Sequence, residues 1–282
     1  MSEEQQQQED VLSKSRPAKE RKVHEEESAG EFFKTAVLAV LFALFIRTFF
    51  FEPFNIPSGS MLPTLQIGDY LFVSKTSYGS SKYSFPFGMA DFEGRMLDEK
   101  PQRGDVIVFK FPPDTSIDYI KRLIGLPGDR IQVKQGRLYI NDEMVDREPV
   151  GMQRVPKPEG GHENIMEYIE TLPGGVMHKI YEESDSEPLD NTQEFVVPDG
   201  HYFLMGDNRD NSQDSRVQNM VGYVSEDKLV GRADILFFSI DETANIFRPW
   251  TWPGAIRYSR IGDRIGPVRP DNAQEATPEV KL

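Results

Sequence analysis

The chain has 282 residues, with 32 Lys and Arg against 46 Asp and Glu, a formal net charge of −14. So acidic a balance, with no basic arm, argues against a nucleic-acid partner. The absence of cysteine excludes a disulfide framework and thiolate metal sites.

Residues 1–31 are rich in Gln and Glu and poor in large apolar side chains, which predicts a disordered cytoplasmic tail. Phe32 to Phe51 is twenty residues with an uninterrupted apolar run from Thr35 to Ile46, about 30 Å as a helix and enough to span a bilayer core. Lys34 and Arg47 lie near its ends, where long side chains snorkel to the interface. Lys14, Arg16, Lys19, Arg21, Lys22 and Lys34 precede or open the span and Arg47 alone follows closely, so the N-terminus is predicted to be cytoplasmic. A cleaved secretory signal with Ser58-Gly59-Ser60 as its small-x-small site is the rival pattern. Fourteen residues between Ile46 and Met61 are long for a cleavage region, and cutting there would discard both serines.

Directly after the span comes Ile56-Pro57-Ser58-Gly59-Ser60-Met61-Leu62-Pro63-Thr64. Pro57 and Pro63 fix the chain on either side, and Gly59 lets it turn between the serines. Such a loop offers a hydroxyl beside free backbone N–H groups, which a nucleophile with an oxyanion site requires. A base must still take the serine proton. His24 lies in the tail, His162 and His178 lie in a Gly/Glu-rich stretch, and His201 opens an apolar strand, so none has a triad context. The better base is Lys121 in Asp118-Tyr119-Ile120-Lys121-Arg122-Leu123-Ile124. Strand alternation puts Tyr119, Lys121 and Leu123 on one face and Arg122 on the other. Desolvation lowers a lysine pKa by up to several units, and Ser–Lys pairs are a known variant of the triad. Taken alone, a lysine in an apolar strand is more often a snorkelling edge residue.

Strands are predicted at 69–74, 106–111, 131–134, 137–140, 195–197, 201–205 and 233–240. Gln135-Gly136 would close one hairpin and Pro198-Asp199-Gly200 another. Outside the apolar span no helical periodicity of useful length is present, so the fold class is mainly antiparallel β. The segment 142–194 turns polar and Gly/Pro-rich. The run 206–216 is too irregular for an EF-hand: counted from Asp210, position six is Ser215 and position twelve Val221. Its alternating Asp, Asn and Arg suit turns and ion pairs instead. Near the C-terminus, Trp250 and Trp252 with Arg248, Arg257, Arg260, Arg264 and Arg269 suggest a segment resting on an anionic membrane surface.

Four blocks in order, Pro57-Ser58-Gly59-Ser60-Met61, Asp118 to Arg122, Gly125-Leu126-Pro127-Gly128-Asp129 and Gly206 to Ser212, resemble the type I signal peptidases of bacteria. The resemblance implies a membrane anchor, a catalytic β domain made of 52–141 and 195–269, and a variable inserted β-rich subdomain at 142–194, distant from the catalytic residues. Residues 270–282 would be a flexible tail. It further implies Ser60 as nucleophile, Lys121 as general base, Ser212 hydrogen-bonded to the lysine, and Ser58 with the Ser60 amide at the oxyanion. Gly206, Asp207, Asn208, Arg209, Asp214 and Arg216 would form a supporting network, with Gly206 close behind Lys121 and Asp214 paired to Arg216. Ile56, Pro57, Met61, Leu65, Tyr119 and Ile120 would line shallow pockets for small substrate side chains. No metal or organic cofactor is implied. The implied setting is the bacterial plasma membrane, with a single-pass monomer acting at the outer face on signal peptides of exported preproteins, beside the lipid bilayer. A self-cleaving Ser–Lys repressor would need a DNA-binding module where the apolar span lies. A catalytically silent, membrane-tethered β scaffold would have no need of a lysine facing apolar neighbours.

Overall fold

A computed structural model of the chain describes residues 29–79, 99–156, 161–244 and 248–267. The disordered tail expected for 1–31 lies outside them as far as residue 28, and so does the flexible tail at 270–282. Helix α1 spans Ala29–Phe49 and leaves large apolar side chains exposed along its length, among them Phe32, Phe33, Leu38, Leu41, Phe42 and Phe45. Among the described residues no helix is long and apolar enough to cross a membrane. The helix begins inside the expected tail and stops short of the expected end at Phe51. Phe51 already opens strand β1 (Phe51–Asn55), whose Pro53 disfavours helix at the residue before it.

The β strands form three antiparallel sheets. The largest joins β1 to β2 (Asp69–Ser74), then β14 (Leu229–Ser239), β3 (Val106–Lys110), β4 (Asp118–Gly125), β12 (His201–Met205) and β13 (Val224–Ser225). Its central strands alternate Val, Ile and Phe and are buried on both faces, as at Val106, Ile107, Val108 and Phe109. A second sheet orders β11 (Phe195–Val196), β5 (Arg130–Lys134), β6 (Arg137–Ile140) and β7 (Glu143–Met144). The β5–β6 hairpin turns through Gln135 and Gly136 at φ 50° and 69°, the two positive values that a type I′ turn requires. The third sheet is β8 (Asp146–Pro156), β9 (His162–Leu172) and β10 (Val176–Glu182) in the order β10-β9-β8.

One predicted pairing does not form. Phe195–Val196 pairs with β5 rather than with His201–Met205, which pairs with β4 and β13. Phe195 and Val197 are buried with Ile131 and Val133, so burial directs them to that sheet. The Asp199-Gly200 turn links two sheets instead of closing a hairpin.

Candidate active site

The loop carrying Ser60 is held from below by apolar side chains. Ile56, Met61 and Leu65 are all buried in one cluster with Leu71, Val73 and Val230, so Ser58 and Ser60 stay at the surface while their neighbours anchor the turn. Met61 and Leu65 are therefore core rather than pocket residues, because each is fully buried. Lys121 comes from β4, opposite Ile107 of β3. Its neighbours Tyr119 and Leu123 share one cluster while Ile120 packs into another, which is the division that strand alternation demands.

These two elements bring Lys121 Nζ to 2.8 Å from Ser60 Oγ. The amine also donates to the Ile120 carbonyl at 2.9 Å and lies 5.4 Å from the centre of the Tyr119 ring. Lys121 is only 4% exposed. Burial pulls its pKa down to about 8, against Asp214 and Asp207, whose charges favour the protonated form. At pH 7.4 about a fifth of such lysines are neutral, against roughly one in a thousand for an unperturbed one. Ser58 Oγ lies 3.4 Å from Ser60 Oγ, and among the described residues the Ser60 amide donates to no other group.

Ser212 departs from the expected role. The Lys121 amine hydrogen-bonds Ser60 and Ile120, not Ser212, and Ser212 Oγ is buried without a hydrogen bond of regular geometry. It faces Asp214 closely enough to help keep that carboxyl ionised. Gly206 does sit tightly behind this region: a Cβ there would fall 2.2 Å from Ser212 Oγ and 2.6 Å from the Ser60 carbonyl oxygen.

The supporting network is denser than expected. Arg216 Nε and Nη2 each reach Asp214 at 2.9 Å, and the Gly206 amide donates to the same carboxylate at 3.0 Å. Burial pushes the Asp214 carboxyl up, but the Arg216 guanidinium, the Gly206 amide and Ser212 together hold it below the usual carboxylate value. Asn208 staples the serine loop, its amide donating to the Ser60 carbonyl and its side chain to the Gly59 carbonyl, both at 3.1 Å. Arg209 pairs with Glu170 of β9, and Asp207 with Arg122 at 2.8 and 2.6 Å. Sequence reasoning missed Arg122, Thr64 and Glu170. A lone arginine inside the apolar strand at 118–125 was the one available signal, since an arginine on a buried face requires a carboxylate.

The inserted sheet is not distant from this site. The Tyr181 amide donates to the Asp207 carbonyl at 2.8 Å and the Arg209 amide to the Tyr181 carbonyl at 2.9 Å. Strand β10 thus runs against the segment that staples Ser60.

A cleft of about 390 Å³ opens over the serine and lysine. Ile56, Pro57, Tyr119 and Ile120 line it together with Ser58, Ser60 and Lys121. Phe54, Val108, Ile117 and Gln213, which sequence reasoning did not name, complete much of the lining. Beside it, among the described residues, the outer half of β4 pairs with no strand on the side away from β3, because β12 pairs only from Arg122 onward.

The chain matches the family described as signal peptidase, peptidase S26, over residues 29–238. A signal peptidase I of Rickettsia typhi is 38% identical over 81% of this chain and 91% of its own. One of Rickettsia conorii is 42% identical over 71% and 76%. A crystal structure of a signal peptidase I from Enterococcus faecalis is 30% identical over 48% of this chain and 97% of its own, with a TM-score of 0.28, too low to bear on the fold. The chain belongs to the signal peptidase family, peptidase S26, and is a serine endopeptidase of signal-peptide processing.

Proposed function

We propose that Ser60 Oγ is the nucleophile and neutral Lys121 its general base. The observation that carries this reading is the 2.8 Å contact between a hydroxyl lining the cleft and a lysine 4% exposed. Lys121 takes the serine proton as Oγ attacks the scissile carbonyl, and the Ser60 amide with the Ser58 hydroxyl holds the developing oxyanion. The lysine then gives its proton to the leaving amine, and water hydrolyses the acyl-enzyme. The preprotein lies extended along the outer half of β4, by strand addition. In that conformation the first and third residues before the cut point the same way, towards Ile56, Pro57, Tyr119 and Ile120. Small side chains fit that approach, giving cleavage of the Ala-x-Ala type.

Helix α1 is proposed as a single-pass anchor in the bacterial plasma membrane. Its support is the apolar surface left exposed, with Glu31 in the first turn and Arg47 in the last, and the cationic residues upstream in the sequence, which put the N-terminus in the cytoplasm and the catalytic part at the outer face. Trp250, 74% exposed, and Trp252 are proposed to rest on the lipid. The enzyme works as a monomer in this reading. Incubation with a preprotein bearing an Ala-x-Ala site, with mass mapping of the products, tests the chemistry. The expected result is one cut after the second alanine, absent in Ser60→Ala; cleavage that survives this substitution would sink the assignment.

A further inference from the structure

Glu182 ends β10, Asp190 lies in the turn that follows, and Asp210 lies in the loop between Gly206 and Arg216. One carboxylate oxygen from each lies within 4.8 Å of the other two. Glu182 is 2% and Asp190 1% exposed. Glu182 Oε2, Asp190 Oδ1 and Asp210 Oδ1 are each buried with no hydrogen-bond partner among the described residues.

The other oxygens of Asp190 and Asp210 are used locally. Asp190 Oδ2 accepts from the Glu187 amide at 2.5 Å, and Asp210 Oδ2 from the Glu183 amide at 2.7 Å. Nearby cations are engaged elsewhere. Arg209 pairs with Glu170 and Arg216 with Asp214. Arg147 comes no nearer than 3.8 Å to Glu182 and donates to Asp185 at 2.9 Å and to the Gly136 carbonyl at 3.1 Å. Among the described residues, three carboxyl groups with orphaned inward oxygens share only the long Arg147–Glu182 contact, so their charge is poorly balanced.

We infer that Glu182, Asp190 and Asp210 bind a divalent cation, of which calcium fits best. Calcium takes oxygen ligands at about 2.3–2.6 Å, so oxygens that share one ion stand at most about 5 Å apart, a condition these three meet. Magnesium demands near-ideal octahedral geometry and gives up water reluctantly, which suits three buried carboxylates less well. Calcium also accepts six to eight ligands, roughly, leaving places for water beside three carboxylates. The ion would tie the end of β10 and the 184–190 turn to the loop that carries Asn208 and Ser212. The inference stands apart from the peptidase reading, since none of its ligands touches Ser60 or Lys121.

The test uses the full chain in detergent, stripped with a chelator and titrated with calcium by calorimetry, with thermal unfolding followed in parallel. The expected result is one saturable site per chain. At about a hundredfold excess over Kd the folding equilibrium should shift about a hundredfold, raising Tm by roughly 5–10 °C. Asp190→Asn and Glu182→Gln should each lose both the heat and the chelator sensitivity, and either variant alone carries the comparison if the other does not fold. The alternative is that the three acids share protons. Then wild type gives no saturable heat, the chelator leaves Tm unchanged, and Asp190→Asn is as stable as wild type or more so. That result, or heat that persists unaltered in both variants, overturns the site.

Discussion

Lys121 and Arg122 are consecutive in β4, both almost wholly buried, and take opposite faces of the strand. Arg122 meets a carboxylate, two hydrogen bonds to Asp207, with further donation to the Gly104 carbonyl at 2.8 Å and to Thr64 Oγ1 at 3.2 Å. Lys121 meets a hydroxyl, a carbonyl and an aromatic ring. Both side chains are buried, but a guanidinium does not deprotonate and must be met by a carboxylate, whereas burial pulls the lysine down to about 8. The nearest acids, Asp214 and Asp207, raise the Lys121 pKa from a distance, and each is already held by its own arginine. Burial makes a cation costly; the arginine meets that cost with a carboxylate, the lysine by giving up its proton.

The largest effect should come from exchanging the two characters. Lys121→Arg places a group that does not deprotonate where the base belongs. Cleavage should fall by about 10⁴-fold or more, as far as in Ser60→Ala, and the double variant should be no worse because the two act as one unit. Turnover above a hundredth of wild type in the arginine variant would break the comparison. In wild type the rate should rise through an apparent pKa of about 8, and a flat profile between pH 6 and 9 would remove the neutral lysine.

The next effect lies on the other face. Asp207→Ala strands the Arg122 guanidinium without its carboxylate, and loss of one partner of a buried pair costs about 3–5 kcal/mol. Thermal or urea unfolding should show that loss, and Arg122→Met combined with Asp207→Leu should recover most of it. If the single variant unfolds like wild type, Arg122 is not held as described.

How much of this was legible beforehand depends on whether the information is local. Ser60 and Lys121 stand in short motifs, and β5–β6 has alternation and a positive-φ turn at Gln135-Gly136, so a few residues suffice. The Arg122–Asp207 pair joins residues 85 apart, and Arg209–Glu170 residues 39 apart; no local pattern names such partners. Met61 and Leu65 read equally as pocket or core, since an apolar residue in a loop satisfies either until its neighbours are known. The end of α1 was misread because phenylalanines suit both an apolar helix and the edge strand β1.

A smaller effect tests the sign of the lysine's cost. Its folded-state pKa is lowered from 10.5 to about 8, so below about pH 8 the folded protein holds a proton that burial disfavours. Lys121→Met should therefore be inactive yet more stable near pH 7, by on the order of 3 kcal/mol. That advantage should shrink as pH rises from about 8 towards 10.5, where the unfolded lysine also loses its proton. A methionine variant less stable than wild type at pH 7 would mean that the amine is better solvated than its surroundings imply.

The smallest effect separates geometry from charge. Gly206 carries no charge and stands on the lysine side, where an added Cβ would come within 2.6 Å of the Ser60 carbonyl and 2.2 Å of Ser212 Oγ. Real side chains do not tolerate such approaches, so Gly206→Ala must displace the serine loop or Ser212 by a sizeable fraction of an ångström. A misplacement of about 1 Å costs about 10²-fold in rate, chiefly in kcat, while the Lys121 pKa read from the acid limb should move little because its burial is retained. The Arg122 face, whose contacts are bidentate and long-sided, should not register the change, and unfolding should shift by far less than in Asp207→Ala. If Gly206→Ala keeps full kcat, the close approach of this backbone is not what aligns Ser60 with Lys121. If it instead moves the apparent pKa by a full unit, the lysine's environment rather than the serine's position is what the glycine protects.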